Sequence, residues 1–125
     1  MDKMARVLVV EDEILVRLDL VYSLEGAGFS TLEAGSADEA ITILEGRSDI
    51  RVVFTDIQMP GSIDGMALAH CVRKRWPPTI LVVSSGRQRP AGNELPSKTA
   101  FLTKPYHPVE LSRLLDRISA ELLSW

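Results

Sequence analysis

Five short, nearly continuous apolar runs divide this chain, and stretches with helical spacing lie between them. Arg6-Val-Leu-Val-Val10 is the first run, the kind of strand that is covered on both faces. Phe29–Ala34 is a weaker second, Arg51–Asp56 a third, Thr79–Val83 a fourth and Thr99–Thr103 a short fifth. A helical pattern over about 13–27 puts Ile14, Leu18, Val21 and Leu24 or Glu25 on one side, and Gly26 and Gly28 stop it. Ser36-Ala-Asp-Glu39 reads as a capping box, in which a hydroxyl and a carboxylate satisfy free N–H groups at a helix start. The helix after it shows Ala37, Ala40, Ile41 and Leu44 on one face and ends at Gly46. Asp64-Gly65 opens a third helix through Arg75, with Ala67, Leu68, Cys71 and Val72 facing inward, and Trp76-Pro-Pro78 breaks it. Pro108 suits the first turn of a last helix, striped by Leu111, Leu114, Leu115, Ile118 and Leu122. Between the fourth and fifth runs, residues 87–98 carry Pro90, Gly92 and Pro96 and allow at most a short helix.

Strands that alternate with helices in this way call for an α/β fold, a doubly wound parallel sheet of five strands with helices on both faces. Crossovers in such a sheet are right-handed, so all strands point one way and their carboxyl ends share one edge. The sequence has no internal repeat, low-complexity tract or linker, and its 125 residues suit one domain, residues 1–125.

Composition narrows the function classes. Apolar residues make up 46% and charged residues 25%, ordinary for a soluble domain. The net charge of −3 provides no basic field for nucleic acid. Arg73-Lys-Arg75 is a basic run, read as the solvated face of a helix. Cys71 is the one cysteine, read as a small core residue, so neither a disulfide framework nor a cysteine zinc site is available. His70 and His107 lack ligand spacing. No apolar run approaches a membrane span, and Met1-Asp-Lys-Met4 leads straight into a strand without a signal peptide, so a cytoplasmic protein is expected.

The strand ends carry the candidate chemistry. The first strand supplies Glu11 and Asp12, the third Asp56, the fourth Ser84 and Ser85, and the fifth Lys104. Open α/β sheets bind ligands at this carboxyl edge. Singly, each residue has a plainer reading: Asp56 as a turn former, Glu11 and Asp12 as helix caps, Lys104 as a surface lysine, Ser84 as a strand-end serine. Together they form a charged site. Three carboxylates in one crevice raise one another's pKa, and a divalent cation removes the conflict. Mg²⁺ takes hard oxygen ligands and suits one or two carboxylates plus a phosphate. Lys104 can meet a phosphoryl oxygen as a point charge, and the Ser84 hydroxyl can donate to the same group. These are parts for phosphoryl transfer to a carboxylate.

On Leu8-Val-Val-Glu-Asp12, Asp56-Ile-Gln-Met-Pro60 with Asp64-Gly65, Ser84 after the fourth strand, and Lys104-Pro105, the chain resembles a bacterial response-regulator receiver domain of the CheY type. The match runs from Arg6 to about Leu123. The resemblance implies a flavodoxin-like strand order, 2-1-3-4-5, and phosphorylation of Asp56 by a histidine kinase or histidine phosphotransfer protein. It implies Mg²⁺ held by Glu11, Asp12, Asp56 and the backbone carbonyl of Gln58. It assigns Ser84 as the switch hydroxyl, Lys104 as the phosphoryl-binding lysine and Phe101 as the switch aromatic, with a cis peptide at Lys104–Pro105. Phosphorylation is then expected to draw Ser84 and Lys104 inward and turn Phe101 in behind Ser84. The surface formed by residues 87–98, the fifth strand and the last helix would change its affinity for a downstream protein target. A homodimer is an open alternative; neither nucleic acid nor a membrane is an expected partner.

Three departures from the family pattern stand out. Gly61-Ser-Ile63 lengthens the loop after Pro60 by one residue. Phe101 replaces a frequent tyrosine, and the prolines in 87–98 disturb a helix that usually belongs to the output face. The last helix ends near Trp125, so a stand-alone receiver without an output domain is expected. Such a protein is a phosphoacceptor regulator and not an enzyme, beyond catalysing its own phosphotransfer and dephosphorylation. Two alternatives remain open: a pseudo-receiver that binds partners without phosphate, and an aspartyl-phosphate phosphatase of the haloacid-dehalogenase type. The latter places a second aspartate two residues after its nucleophile, where this chain has Gln58.

Overall fold

Each apolar run of the sequence is a strand of one sheet. The computed structural model describes residues 6–86, 90 and 94–123. Its elements are β1 (Arg6–Val10), α1 (Ile14–Gly26), β2 (Ser30–Ala34), α2 (Ala37–Gly46), β3 (Ile50–Asp56), α3 (Gly65–Arg75), β4 (Ile80–Ser85), β5 (Thr99–Thr103) and α4 (Pro108–Leu123). The strands pair in parallel in the order β2-β1-β3-β4-β5. This is the expected flavodoxin-like fold, and the carboxyl ends of all five strands lie on one edge.

Strand alternation splits the core in two. Val7, Val9, Phe54 and Val82 pack with Leu24 of α1 and Leu111, Leu114 and Ile118 of α4. Leu8, Val10, Val53 and Val83 pack on the other face with Leu44 of α2 and Leu68 and Val72 of α3. Each such side chain contributes roughly 1.5–3 kcal/mol by leaving water, which closes the helices onto the sheet. The capping box at Ser36 forms, with a shift: the Ser36 hydroxyl accepts from Glu39 N–H at 3.1 Å, while the Glu39 carboxylate accepts from Gly35 N–H at 2.7 Å.

The faces of two helices differ from the sequence reading. In α1 the buried residues are Leu20, Val21 and Leu24, whereas Ile14 and Leu18 are exposed at 60% and 49%. Apolar residues occur on every side of this helix, so periodicity alone cannot choose a face, and burial falls on its second half. In α3, Ala69 is buried and Ala67 exposed, and Cys71 is only half-buried rather than a core residue. Nor is the basic run of α3 simply a solvated face. The Arg73 guanidinium donates to the carbonyls of Ser97 at 2.9 Å, Lys98 at 3.1 Å, Thr79 at 2.7 Å and Pro77.

That arginine explains much of what holds the proline-rich segment. Residues 94–98 are turns and bends, and His70 Nε2 lies 2.7 Å from the Glu94 carbonyl oxygen. Side chains of α3 thus satisfy carbonyls that no helix satisfies here, and no helix occurs among the described residues of 87–98. Residues 87–89 and 91–93, with the expectation placed on Gly92, lie outside the described residues. Among the described residues no helix is long and apolar enough to cross a membrane.

Candidate functional site

The carboxyl edge gathers most of the expected residues into one buried cluster. Glu11 directly follows β1 and is 3% exposed; Asp56 ends β3 and is 6% exposed. β4 runs two residues further than its apolar run, so Ser84 lies inside the strand, in register with Asp56 and fully buried. Lys104 follows β5 directly, across a cis peptide to Pro105. Asp12 is exposed at the rim. Alternation along the strands places Glu11, Asp56, Ser84 and Lys104 in phase with Val9, Phe54, Val82 and Leu102, the face that α1 and α4 cover.

Two local devices hold this arrangement. Arg17 of α1 donates to the Glu11 carbonyl at 2.9 Å and to Glu33 at 3.0 Å, which fixes the backbone after β1. Behind Asp56, α3 starts so close to β3 that a Cβ on Gly65 would lie 1.7 Å from the Asp56 carbonyl oxygen. Only glycine permits that approach. Asp64 caps the helix by accepting from Ala67 N–H at 2.9 Å, and Gly65 N–H donates to the Ile57 carbonyl at 2.9 Å.

Charges in the cluster are incompletely satisfied. The Lys104 ammonium bridges Glu11 Oε1 at 2.8 Å and Asp56 Oδ2 at 3.2 Å. Burial raises the pKa of Asp56 and the negative charge of Asp12 adds to this; Lys104 and the Gln58 backbone N–H oppose it without cancelling it. Burial likewise raises Glu11, against a lowering by Lys104 and by Glu13 N–H, which donates to Glu11 Oε2 at 3.1 Å. For Lys104, burial alone would lower the pKa, but the two carboxylates outweigh it and raise it. Asp56 Oδ1 is buried without a hydrogen-bond partner. An orphaned buried carboxylate oxygen is costly and calls for an explanation.

The donors gathered at this edge also suit a cation. Glu11, Asp12 and Asp56 each offer a carboxylate oxygen, all within 4.8 Å of one another. Such a set of hard anionic donors matches the preference of Mg²⁺.

Other expected residues are placed differently. The Gln58 side chain is exposed and accepts from the Ser85 hydroxyl at 2.7 Å, which links the loop after β3 to the end of β4. Phe101 is half-buried and packs on the opposite face of the sheet, against the α2 and α3 cluster. One residue escaped the sequence reading. The Tyr106 hydroxyl donates to Ser84 Oγ at 3.1 Å, and its ring meets Phe54 edge-on, with centroids 5.8 Å apart. An aromatic two residues beyond Lys104 was its only signal in the sequence.

Comparison with known proteins agrees with this geometry. The family model described as "Response regulator receiver domain" matches residues 7–116. The chain is 36% identical over 112 residues to the sensor kinase CckA of Brucella abortus, covering 86% of this chain but only 12% of that kinase. Among solved structures, the receiver domain of the hybrid histidine kinase CckA superposes with a TM-score of 0.75 at 30% identity, covering 94% of this chain and 99% of that one. The Vibrio cholerae chemotaxis protein CheY4 superposes with a TM-score of 0.81 at 26% identity, covering 92% of this chain and 98% of that one.

Proposed function

Because the chain belongs to the response-regulator receiver family, we propose that it accepts a phosphoryl group on Asp56 and thereby switches a protein-binding surface. One observation carries the reading most directly. Of the two oxygens of Asp56, Oδ2 is held by Lys104 at 3.2 Å, while Oδ1 is buried and unpartnered at the sheet edge. A carboxylate oriented by one oxygen with the other left free is suited to nucleophilic attack.

The donor is a phosphohistidine on a histidine kinase or histidine phosphotransfer protein. An Asp56 oxygen attacks phosphorus, the O–P bond forms and the N–P bond breaks. The leaving imidazole nitrogen keeps the electron pair and takes up a proton. Glu11, Asp12 and Asp56, with the backbone carbonyl of Gln58, would hold Mg²⁺, which supplies positive charge to the carboxylates and to the phosphoryl oxygens. Lys104 exchanges its contact with Asp56 for one with a phosphoryl oxygen. Ser84 donates its hydroxyl to another, and Phe101 follows on the far side. These contacts exist only in the phosphorylated state, so they shift the population toward an active surface around β5 and α4. In this reading the protein is a cytoplasmic regulator whose enzymatic role stops at its own phosphotransfer and dephosphorylation.

Intact mass after incubation with phosphoramidate tests this. One added phosphoryl group is expected, dependent on Mg²⁺ and absent in Asp56→Asn. A wild-type protein that is folded yet never labelled would instead mark a module that binds partners without phosphate.

A further inference from the structure

In the phosphoacceptor reading Ser84 couples the phosphoryl group to the fold, and its surroundings hold a feature outside the roles assigned above. Its hydroxyl is fully buried and lies against Tyr106, whose hydroxyl donates to it at 3.1 Å. It is not turned toward Asp56, whose Oδ1 is left without a hydrogen bond although Ser84 is its neighbour in the β3–β4 register. Tyr106 is itself firmly seated. Its ring stands at 80° to Phe54 and packs on the α1 and α4 core. Burial pushes its hydroxyl up to about 12, so it remains a protonated donor at neutral pH. Phe101, the switch aromatic of the resemblance, packs on the other face and has no hydroxyl to offer.

We propose that Tyr106 is a positioning residue that restrains the switch: its hydroxyl holds the Ser84 hydroxyl back from Asp56 until a phosphoryl group competes for it. The proposal rests on the phosphoacceptor reading of Asp56 and names what opposes the switch at that site. Tyr106 donates to Ser84 Oγ and leaves the Ser84 O–H free to donate, so the restraint is one of position: carrying Oγ to a phosphoryl oxygen gives up the Tyr106 hydrogen bond to gain a charge-assisted one. The exchange favours the phosphorylated state, but by less than it would without Tyr106.

The test is a double-mutant cycle on wild type, Tyr106→Phe, Ser84→Ala and the double variant. Tyr106→Phe removes only an oxygen and keeps the ring against Phe54. The probe is beryllium fluoride with Mg²⁺, an acyl-phosphate mimic, and its affinity is read by calorimetry. The restraint predicts about twofold to tenfold tighter binding in Tyr106→Phe, the range of one neutral hydrogen bond. In the Ser84→Ala background the same substitution is expected to change nothing. Unchanged or weaker binding in Tyr106→Phe, or an equal gain without Ser84, overturns the restraint. A purely structural Tyr106 would lower the melting temperature without moving the affinity. Failure of the wild type to bind the mimic or to be labelled by phosphoramidate would overturn the phosphoacceptor reading itself, and the restraint with it.

Discussion

The two edges of the sheet use the same kinds of side chain with opposite results. At the amino edge, Asp49 accepts from Arg6 at 2.8 Å and from Arg47 at 2.8 and 2.9 Å, near the surface. The arginine contacts hold its carboxyl well below the usual carboxylate range. At the carboxyl edge, Asp56 and Glu11 share one lysine, burial outweighs that pairing, and both are pushed up. Arginine offers a fork of several donors in water, whereas one buried ammonium cannot satisfy two carboxylates and leave no oxygen orphaned. The amino edge is an arrangement that fastens strands. The carboxyl edge leaves its negative charge incompletely compensated, with Asp56 Oδ1 unpartnered.

The comparison can be broken at the backbone first. Gly65→Ala places a methyl group against the Asp56 carbonyl, so a loss of about 3 kcal/mol is expected in denaturant unfolding. A variant with wild-type stability would mean that the approach of α3 to β3 is looser than described. Next comes metal addition. Mg²⁺ at one hundred times its dissociation constant should raise stability by about 2.7 kcal/mol, and by far less in Asp56→Asn. Equal stabilisation of both would detach the metal from this cluster. Smaller still, Asp56→Asn without metal should stabilise by about 1 kcal/mol, because one charge leaves a crowded, buried group. A lower melting temperature would show that Asp56 is well satisfied after all.

The finest contrast is in pH. Asp56 has a raised folded pKa, so its charge costs stability above that value, and the cost is relieved as pH falls toward the ordinary carboxylate range. Asp49 has a depressed folded pKa, so its contribution is present above the ordinary range and is lost as pH falls through it toward the folded value. Stability differences between wild type and Asp56→Asn, and between wild type and Asp49→Asn, should therefore slope in opposite directions with pH. The Asp49 effect should be small and should shrink with salt, because that pair is exposed to solvent. Parallel slopes would remove the distinction between the two edges.

Much of this was legible beforehand, for definite reasons. Leu8-Val-Val10 and Val52-Val-Phe54 are strands by local composition, and Gly or Pro closes each unit. Once the strand ends were placed, parallel order alone carried Glu11, Asp56, Ser84 and Lys104 to one edge. Face selection was less legible where apolar residues surround a helix. Ile14 and Leu18 of α1 have the right spacing and are nonetheless exposed. Arg73 sits in a basic run like any surface arginine, and only the folded chain shows the four carbonyls it holds.

What the sequence determined by itself is the order of elements and the chemistry delivered to the sheet edge, because periodicity, chain breakers and handed crossovers act locally or through topology. What only the tertiary structure decided is which atoms meet there. Lys104 reaches Glu11 across 93 positions of sequence, and Tyr106 reaches Ser84 across 22. One oxygen of Asp56 finds a partner and the other does not. Such contacts depend on distances of a few tenths of an ångström set by the packing of two cores, and no local pattern in the chain encodes them.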